Sequence, residues 1–208
     1  MLFRSVVPAG VATIERQTDP WLREANGMLE TLRSRTPGLS DDLAPVRDLW
    51  GRPRSYESGI GWAYDAFSPI YSRRHNPNAI DQEILRHGWD IPMPPRTQSF
   101  GGAAIDLDRF PGAYSRFLEL AGQEIKSPLS GKNMVDHLSD IITGKSALSP
   151  VYNLRSSGPD GGKETFVKDQ MRDFQASARA QLLREIPALA LEAQEKQRRK
   201  SELRLNLQ

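Results

Sequence analysis

The chain has 208 residues, 38% apolar and 26% charged, enough for one domain or two small ones around a modest core. Cysteine is absent, which excludes disulfides and thiolate metal sites, and the net charge of +2 provides no global basic field for nucleic acid. No apolar run approaches the roughly 20 residues of a membrane helix, and Arg4 interrupts the short apolar stretch from Met1 to Val11, so no secretory signal is read there.

Leu2-Phe3-Arg4-Ser5 is one reading frame of CTCTTCCGATCT, the end of a common sequencing adapter. Residues 1–5 are therefore expected to be an artefact on a metagenomic fragment, with the natural polypeptide continuing upstream of Val6. Many of the 15 prolines and 16 glycines fall in two stretches, residues 36–61 and 88–102. Neither stretch suits a long helix or a regular strand, so ordered but irregular connectors are expected.

The first predicted helix covers residues 19–35, with Asp19 as N-cap and Pro20 in the first turn. Trp21, Leu22, Ala25, Met28, Leu29 and Leu32 form its apolar face, and Thr36-Pro37 ends it. Trp50-Gly51-Arg52-Pro53 reads as a turn. Tyr64, Phe67, Ile70 and Tyr71 are expected to pack, although Ser68-Pro69 interrupts any helix there. A short helix follows over residues 78–87, with Ile80, Ile84 and Leu85 on one face and Gly88 as its C-terminal cap. Residues 99–107 contain one candidate strand, Ile105 and Leu107 alternating with Asp106 and Asp108, with no obvious partner.

A helix over residues 111–126 should bury Tyr114, Phe117, Leu118, Ala121 and Ile125, with Asp108 near its cap. Another, over residues 132–143, carries Met134, Val135, Leu138, Ile141 and Ile142, and Gly144 stops it. The longest helix is predicted over residues 162–185, with Phe166, Val167, Met171, Phe174, Ala178 and Leu182 as its buried stripe. Pro187 breaks it, and residues 188–205 continue as an exposed helix with a basic tail. The fold class is mainly α, an irregular helical arrangement with long Pro/Gly-rich connectors. It has at most a short strand or hairpin and a long C-terminal helix that projects from the body. Beyond residues 1–5, the chain divides into residues 6–126, helix plus connectors, and residues 127–208, a C-terminal helical region.

Local motifs give no catalytic, cofactor or metal site. Gly158-Pro159-Asp160-Gly161-Gly162-Lys163-Glu164 resembles a phosphate loop, but its spacing is one residue short. Glu164 stands where a metal-binding hydroxyl belongs, and no strand leads in, so a turn and helix start is the better reading. Gly59-Ile60-Gly61 lacks the third glycine of a dinucleotide fingerprint. His75, His87 and His137 form no metal-ligand pair; Asp136, His137 and Asp140 read as the charged surface of a helix, and His87 as a complement to a helix dipole. Asp106 and Asp108 would share one strand face, but glycoside hydrolysis needs one carboxyl in an apolar pocket and a second across the substrate. Lys196, Arg198, Arg199 and Lys200 could touch DNA phosphates, against the plainer reading of a solvated helix end with a Glu192–Lys196 ion pair.

Several phrases in order carry a family resemblance. Asp19-Pro20-Trp21-Leu22-Arg23-Glu24 leads a helix that runs to Leu32-Arg33-Ser34-Arg35-Thr36-Pro37-Gly38-Leu39-Ser40. Leu43-Ala44-Pro45-Val46-Arg47-Asp48-Leu49-Trp50-Gly51-Arg52-Pro53, Phe67-Ser68-Pro69-Ile70-Tyr71-Ser72 and Asp81-Gln82-Glu83-Ile84-Leu85-Arg86-His87-Gly88 follow. This order resembles the C-terminal region of large polyvalent proteins of phages, prophages and other mobile elements. The resemblance covers residues 19–123 and extends more loosely over 151–187. Ala44-Pro45-Val46-Arg47 departs from it, since related chains often carry two prolines and two arginines there.

The resemblance implies a setting rather than a reaction. Such proteins are long, combine several activities upstream, and some are packaged in the virion and delivered with DNA. The expected role is a non-enzymatic structural or interaction region, in the virion or the bacterial host cytoplasm. Its expected partners are the upstream part of the same polypeptide, other virion proteins and, through the basic tail, DNA. Alternatives are a nucleic-acid-binding accessory region and part of a phage enzyme with its active site upstream. Trp50, Tyr64, Phe67 and Tyr71 are the candidate interaction anchors, against the alternative that they pack on the chain's own helices.

Overall fold

The computed structural model describes residues 43–54, 78–157 and 162–205. The predicted helix at 19–35 and the aromatic residues Tyr64, Phe67 and Tyr71 lie outside them. The described chain is mainly helical, with one two-stranded antiparallel hairpin and a long C-terminal helix.

Helix α1 is Ala79–His87. The Asp81 carboxylate accepts the Asn78 backbone N–H at its start, and Gly88 closes it in the left-handed region at φ 61°. Ile80 and Ile84 are buried as predicted, but Leu85 is 64% exposed. Asp81 and Glu83 turn inward instead, polar residues that a search for an apolar face passes over.

The candidate strand has a partner. Strand β1, Thr97–Phe100, pairs antiparallel with β2, Ala103–Asp106, with Phe100 opposite Ala103. Gly101 and Gly102 make the two-residue turn at φ 57° and 85°, a conformation that costs glycine nothing. Leu107 opens a 3-10 turn, Leu107–Arg109, rather than extending the strand. Asp108 does not cap the next helix: it pairs with Arg96 at 2.5 Å, while Asp106 accepts the Asp108 N–H.

Helix α2, Ala113–Glu119, widens into a π-helical segment, Leu120–Glu124, that closes with the Ile125 N–H on the Leu120 carbonyl. Helix α3, Met134–Ile142, starts behind Asn133, whose side chain accepts the Asp136 N–H at 2.9 Å. A five-residue helix α4, Ser149–Asn153, was not anticipated. Helix α5, Lys163–Glu185, buries Phe166, Val167, Met171, Phe174, Ala178 and Leu182, the stripe predicted from helical spacing. Helix α6, Pro187–Leu205, follows at once.

Helix α6 is exposed over most of its described length, as expected, but the expectation that it projects from the body is corrected. Leu189 and Ala193 are buried, and the helix packs along β2. Its side chains also hold the hairpin: Lys196 donates to the Ala104 carbonyl, Gln197 to that of Phe100 and Lys200 to that of Gly102.

Two apolar clusters make the core. The first joins Leu49, Trp50, α1 and α3 to the N-terminal half of α5. The second joins the hairpin, α2 and the π segment to the C-terminal half of α5 and the start of α6. Each draws residues from both sides of residue 126, so the division at 126/127 is not a boundary in packing.

Candidate functional site

The most organised polar centre among the described residues lies where connector 43–54 meets the body. An irregular segment has no ladder to satisfy its backbone, so its own side chains and its neighbours must do so. Here Asp48 does it locally. Its carboxylate accepts the Trp50 and Arg52 backbone N–H groups at 3.0 and 2.9 Å and the Arg52 Nε–H at 2.8 Å. The Gly51 N–H returns to the Asp48 carbonyl, and Arg47 and Pro53 form an isolated antiparallel bridge. The segment is therefore a closed loop held largely by itself, with Gly51 at φ 73° at its tip, as the predicted turn required.

The loop is strapped onto the body through Trp50, which is 0% exposed. Its indole N–H donates to Asp81 Oδ1 at 2.7 Å, and its carbonyl accepts from Gln123 Nε2 at 2.6 Å. A Cβ at Gly122 would overlap the Trp50 carbonyl, and one at Gly51 would overlap that of Leu118, so two glycines let the chains cross. Further along the strap, the Ser115 hydroxyl donates to the Pro45 carbonyl at 2.6 Å, and Arg47 pairs with Glu119 at 2.7 Å. The candidate role of Trp50 as an anchor for another protein is thus corrected: its ring is wholly enclosed by this chain's own helices, leaving no face for a partner.

Burial sets the electrostatics. Desolvation raises the pKa of Asp48 above the ordinary carboxylate value, opposed by the Arg52 charge and hydrogen bonds. Asp81 is raised for the same reason, opposed by the Trp50 hydrogen bond.

A second buried group sits on the opposite flank of α1. Tyr152 donates to Glu83 Oε1 at 2.7 Å, and His87 Nε2 lies 3.2 Å from the same oxygen, its ring stacked on Trp89. Burial and the adjacent Glu83 charge push the Tyr152 phenol up, so it stays a neutral donor. His87 was expected to complement the helix dipole; it bonds to Glu83 as well. His137 is corrected outright. It is 1% exposed, its Nδ1 lying 2.9 Å from the Ser130 hydroxyl and its Nε2 facing Gln170 at 3.3 Å, so it belongs to the core and not to a charged surface. Among the described residues no group of three or more His, Cys, Asp or Glu is placed to hold a metal, and no helix is long and apolar enough to cross a membrane.

The basic residues named as DNA contacts are mostly engaged. Lys196 bonds to Ala104 and pairs with Glu192 at 3.1 Å, Lys200 bonds to Gly102, and Arg198 pairs with Glu202. Arg199 is exposed. At the former glycine-rich motif, a Cβ on Gly162 would overlap the Ser156 carbonyl, and Lys163 donates its N–H to that carbonyl, which fits a helix start and not a phosphate cradle. The Asp81–Trp50 bond spans 31 residues, and the apolar spacing of Ile80, Ile84 and Leu85 gives no signal of it.

Comparison with known protein-family models, curated proteins and solved structures gives no match.

Proposed function

We propose that the chain is a non-enzymatic structural and interaction region of a large phage- or prophage-encoded protein, acting in the virion or the bacterial host cytoplasm. The observation that supports this reading most is the strap. An irregular, proline-bearing connector is turned inward, and its Trp50 and Asp48 are committed to bonds within the chain. Such an arrangement fixes a connector against a helical body, which is what a scaffold segment of a long polypeptide requires. The engagement of Lys196, Arg198 and Lys200 by the chain's own groups weighs against the DNA-binding alternative.

The test is made in a lysogen that carries the gene. The chain is tagged in place, the prophage induced, and particles banded on a density gradient before and after cross-linking. The tag should band with particles or cross-link to phage-encoded proteins. Recovery of the chain free of both would overturn the proposal.

A further inference from the structure

We propose that Ser130 is an activated nucleophile that takes an acyl group from small uncharged esters, with His137 as its base and Gln170 positioning that base. The proposal goes beyond the scaffold reading and is independent of it, since the acylation of one serine requires no partner protein. Ser130 stands in a turn closed by its own bonds, Ser127 N–H to the Lys132 carbonyl and Gly131 N–H to the Ser127 carbonyl, both at 2.8 Å. The turn leads into α3, whose fourth residue is the buried His137. The Ser130 hydroxyl lies 2.9 Å from His137 Nδ1, and Gln170 Oε1, from α5, lies 3.3 Å from Nε2. Phe174 packs on the imidazole at 5.7 Å between ring centroids and holds it in this orientation.

The partners place the protons. An amide oxygen only accepts, so Nε2 carries the imidazole hydrogen and Nδ1 is left as the acceptor. The Lys132 N–H donates to Ser130 Oγ at 3.4 Å, so the hydroxyl's own hydrogen turns to Nδ1. Nucleophile, base and orienting group are thus in series, with an amide where a carboxylate is more usual. The base is 1% exposed, but Ser130 is only half-buried and the space beside Gly131 is open, so a small molecule reaches Oγ. An uncharged ester suits the site: the adjacent cation, Lys132, is already paired with Asp140 at 2.7 Å, and Leu129 offers an exposed apolar surface to the acyl group. In the reaction, Oγ bonds to the ester carbonyl carbon as its proton passes to Nδ1. The carbon–oxygen bond to the leaving group then breaks, and the proton leaves Nδ1 with the departing alcohol. The products are acylated Ser130 and the alcohol, with no change of oxidation state.

Covalent labelling of the full-length chain tests it. An alkyl fluorophosphonate is used because its adduct is permanent: phosphorus bonds to Oγ as fluoride leaves, and peptide mass mapping locates the product. Ser130 should be labelled about a hundredfold faster in the folded chain than in the same chain unfolded in urea. Gln170→Leu should slow the labelling roughly tenfold, and Gln170→Glu, which keeps an acceptor for Nε2, should restore it. Ser130→Ala should remove the adduct. Both positions are half-buried, and circular dichroism checks that each variant keeps its helices. If Gln170→Leu does not fold, the ratio of folded to unfolded labelling in the wild type decides. No adduct at Ser130, an equal rate in the unfolded chain, or equal rates in wild type and folded Gln170→Leu overturns the proposal.

Discussion

The two halves of the core are held by opposite means. Around Trp50, large side chains are pinned by buried carboxylates, with Asp81 on the indole and Glu83 on Tyr152. Around the hairpin, the inner surface is mostly apolar and partly small, as at Ala103, Ala113, Ala121, Ala178 and Ala193; its buried polar groups, Gln98 and Tyr114, are neutral, and the bonds from Lys196, Gln197 and Lys200 to hairpin carbonyls lie at the rim. The first arrangement gives specificity at a desolvation cost; the second gives close approach with little charge burial. A connector that must be found from far along the chain uses the first, and a helix that follows its neighbour directly uses the second.

The comparison is sharpened most by Trp50→Ala, which should cost about 3–5 kcal/mol in urea denaturation because it empties a fully enclosed site. A loss under about 1 kcal/mol would mean that the strap is not part of the cooperative core. Asp81→Leu comes next. It leaves a buried indole N–H without its acceptor and should cost about 1–3 kcal/mol, measured the same way.

pH separates the buried carboxylates from those at the surface. The pKa of Asp81 is raised, so the folded state holds its proton more tightly than the unfolded chain does. Its contribution favours the fold at low pH and is lost as pH rises through the folded value. The pKa of Glu185 is lowered by hydrogen bonds from Arg116, which also holds Glu119 and Glu124. Its contribution is present above the ordinary carboxylate value and is lost as pH falls through the folded one. Urea midpoints of wild type, Asp81→Asn and Glu185→Gln from neutral to acid pH should therefore diverge with opposite slopes. Slopes of the same sign would break the contrast. The smallest effect expected is that of Lys200→Ala, about 0.5 kcal/mol or less, because its bond to Gly102 is exposed.

What could be read from the sequence follows the same division. The stripe of α5 was legible in full because an apolar face repeating along 23 residues needs no knowledge of what covers it. The docking of α6 was not: among the described residues its buried face holds Leu189 and Ala193, and lysine and glutamine reach over the hairpin. The hairpin was half seen, since β1, Thr-Gln-Ser-Phe, shows one apolar residue and turns Gln98 inward beside Phe100. The strap was hidden because its direction is decided by a gap at Gly122 and an acceptor at Asp81, and neither residue announces a partner so far upstream. Tyr64, Phe67 and Tyr71 lie outside the described residues.

Helix α5 serves both clusters in succession, with Phe166, Val167, Met171 and Phe174 facing one and Ala178 and Leu182 the other. That makes its phase a property of the whole molecule. One residue inserted between Phe174 and Ala178 would rotate everything beyond it by about 100°. Ala178 and Leu182 would leave the second cluster while the first kept its packing. Loops elsewhere can lengthen at little cost, but this helix sets the rotational registration between the strap's seat and the hairpin's. A lineage that varied its connectors freely would still have to hold the length of α5 constant to the residue.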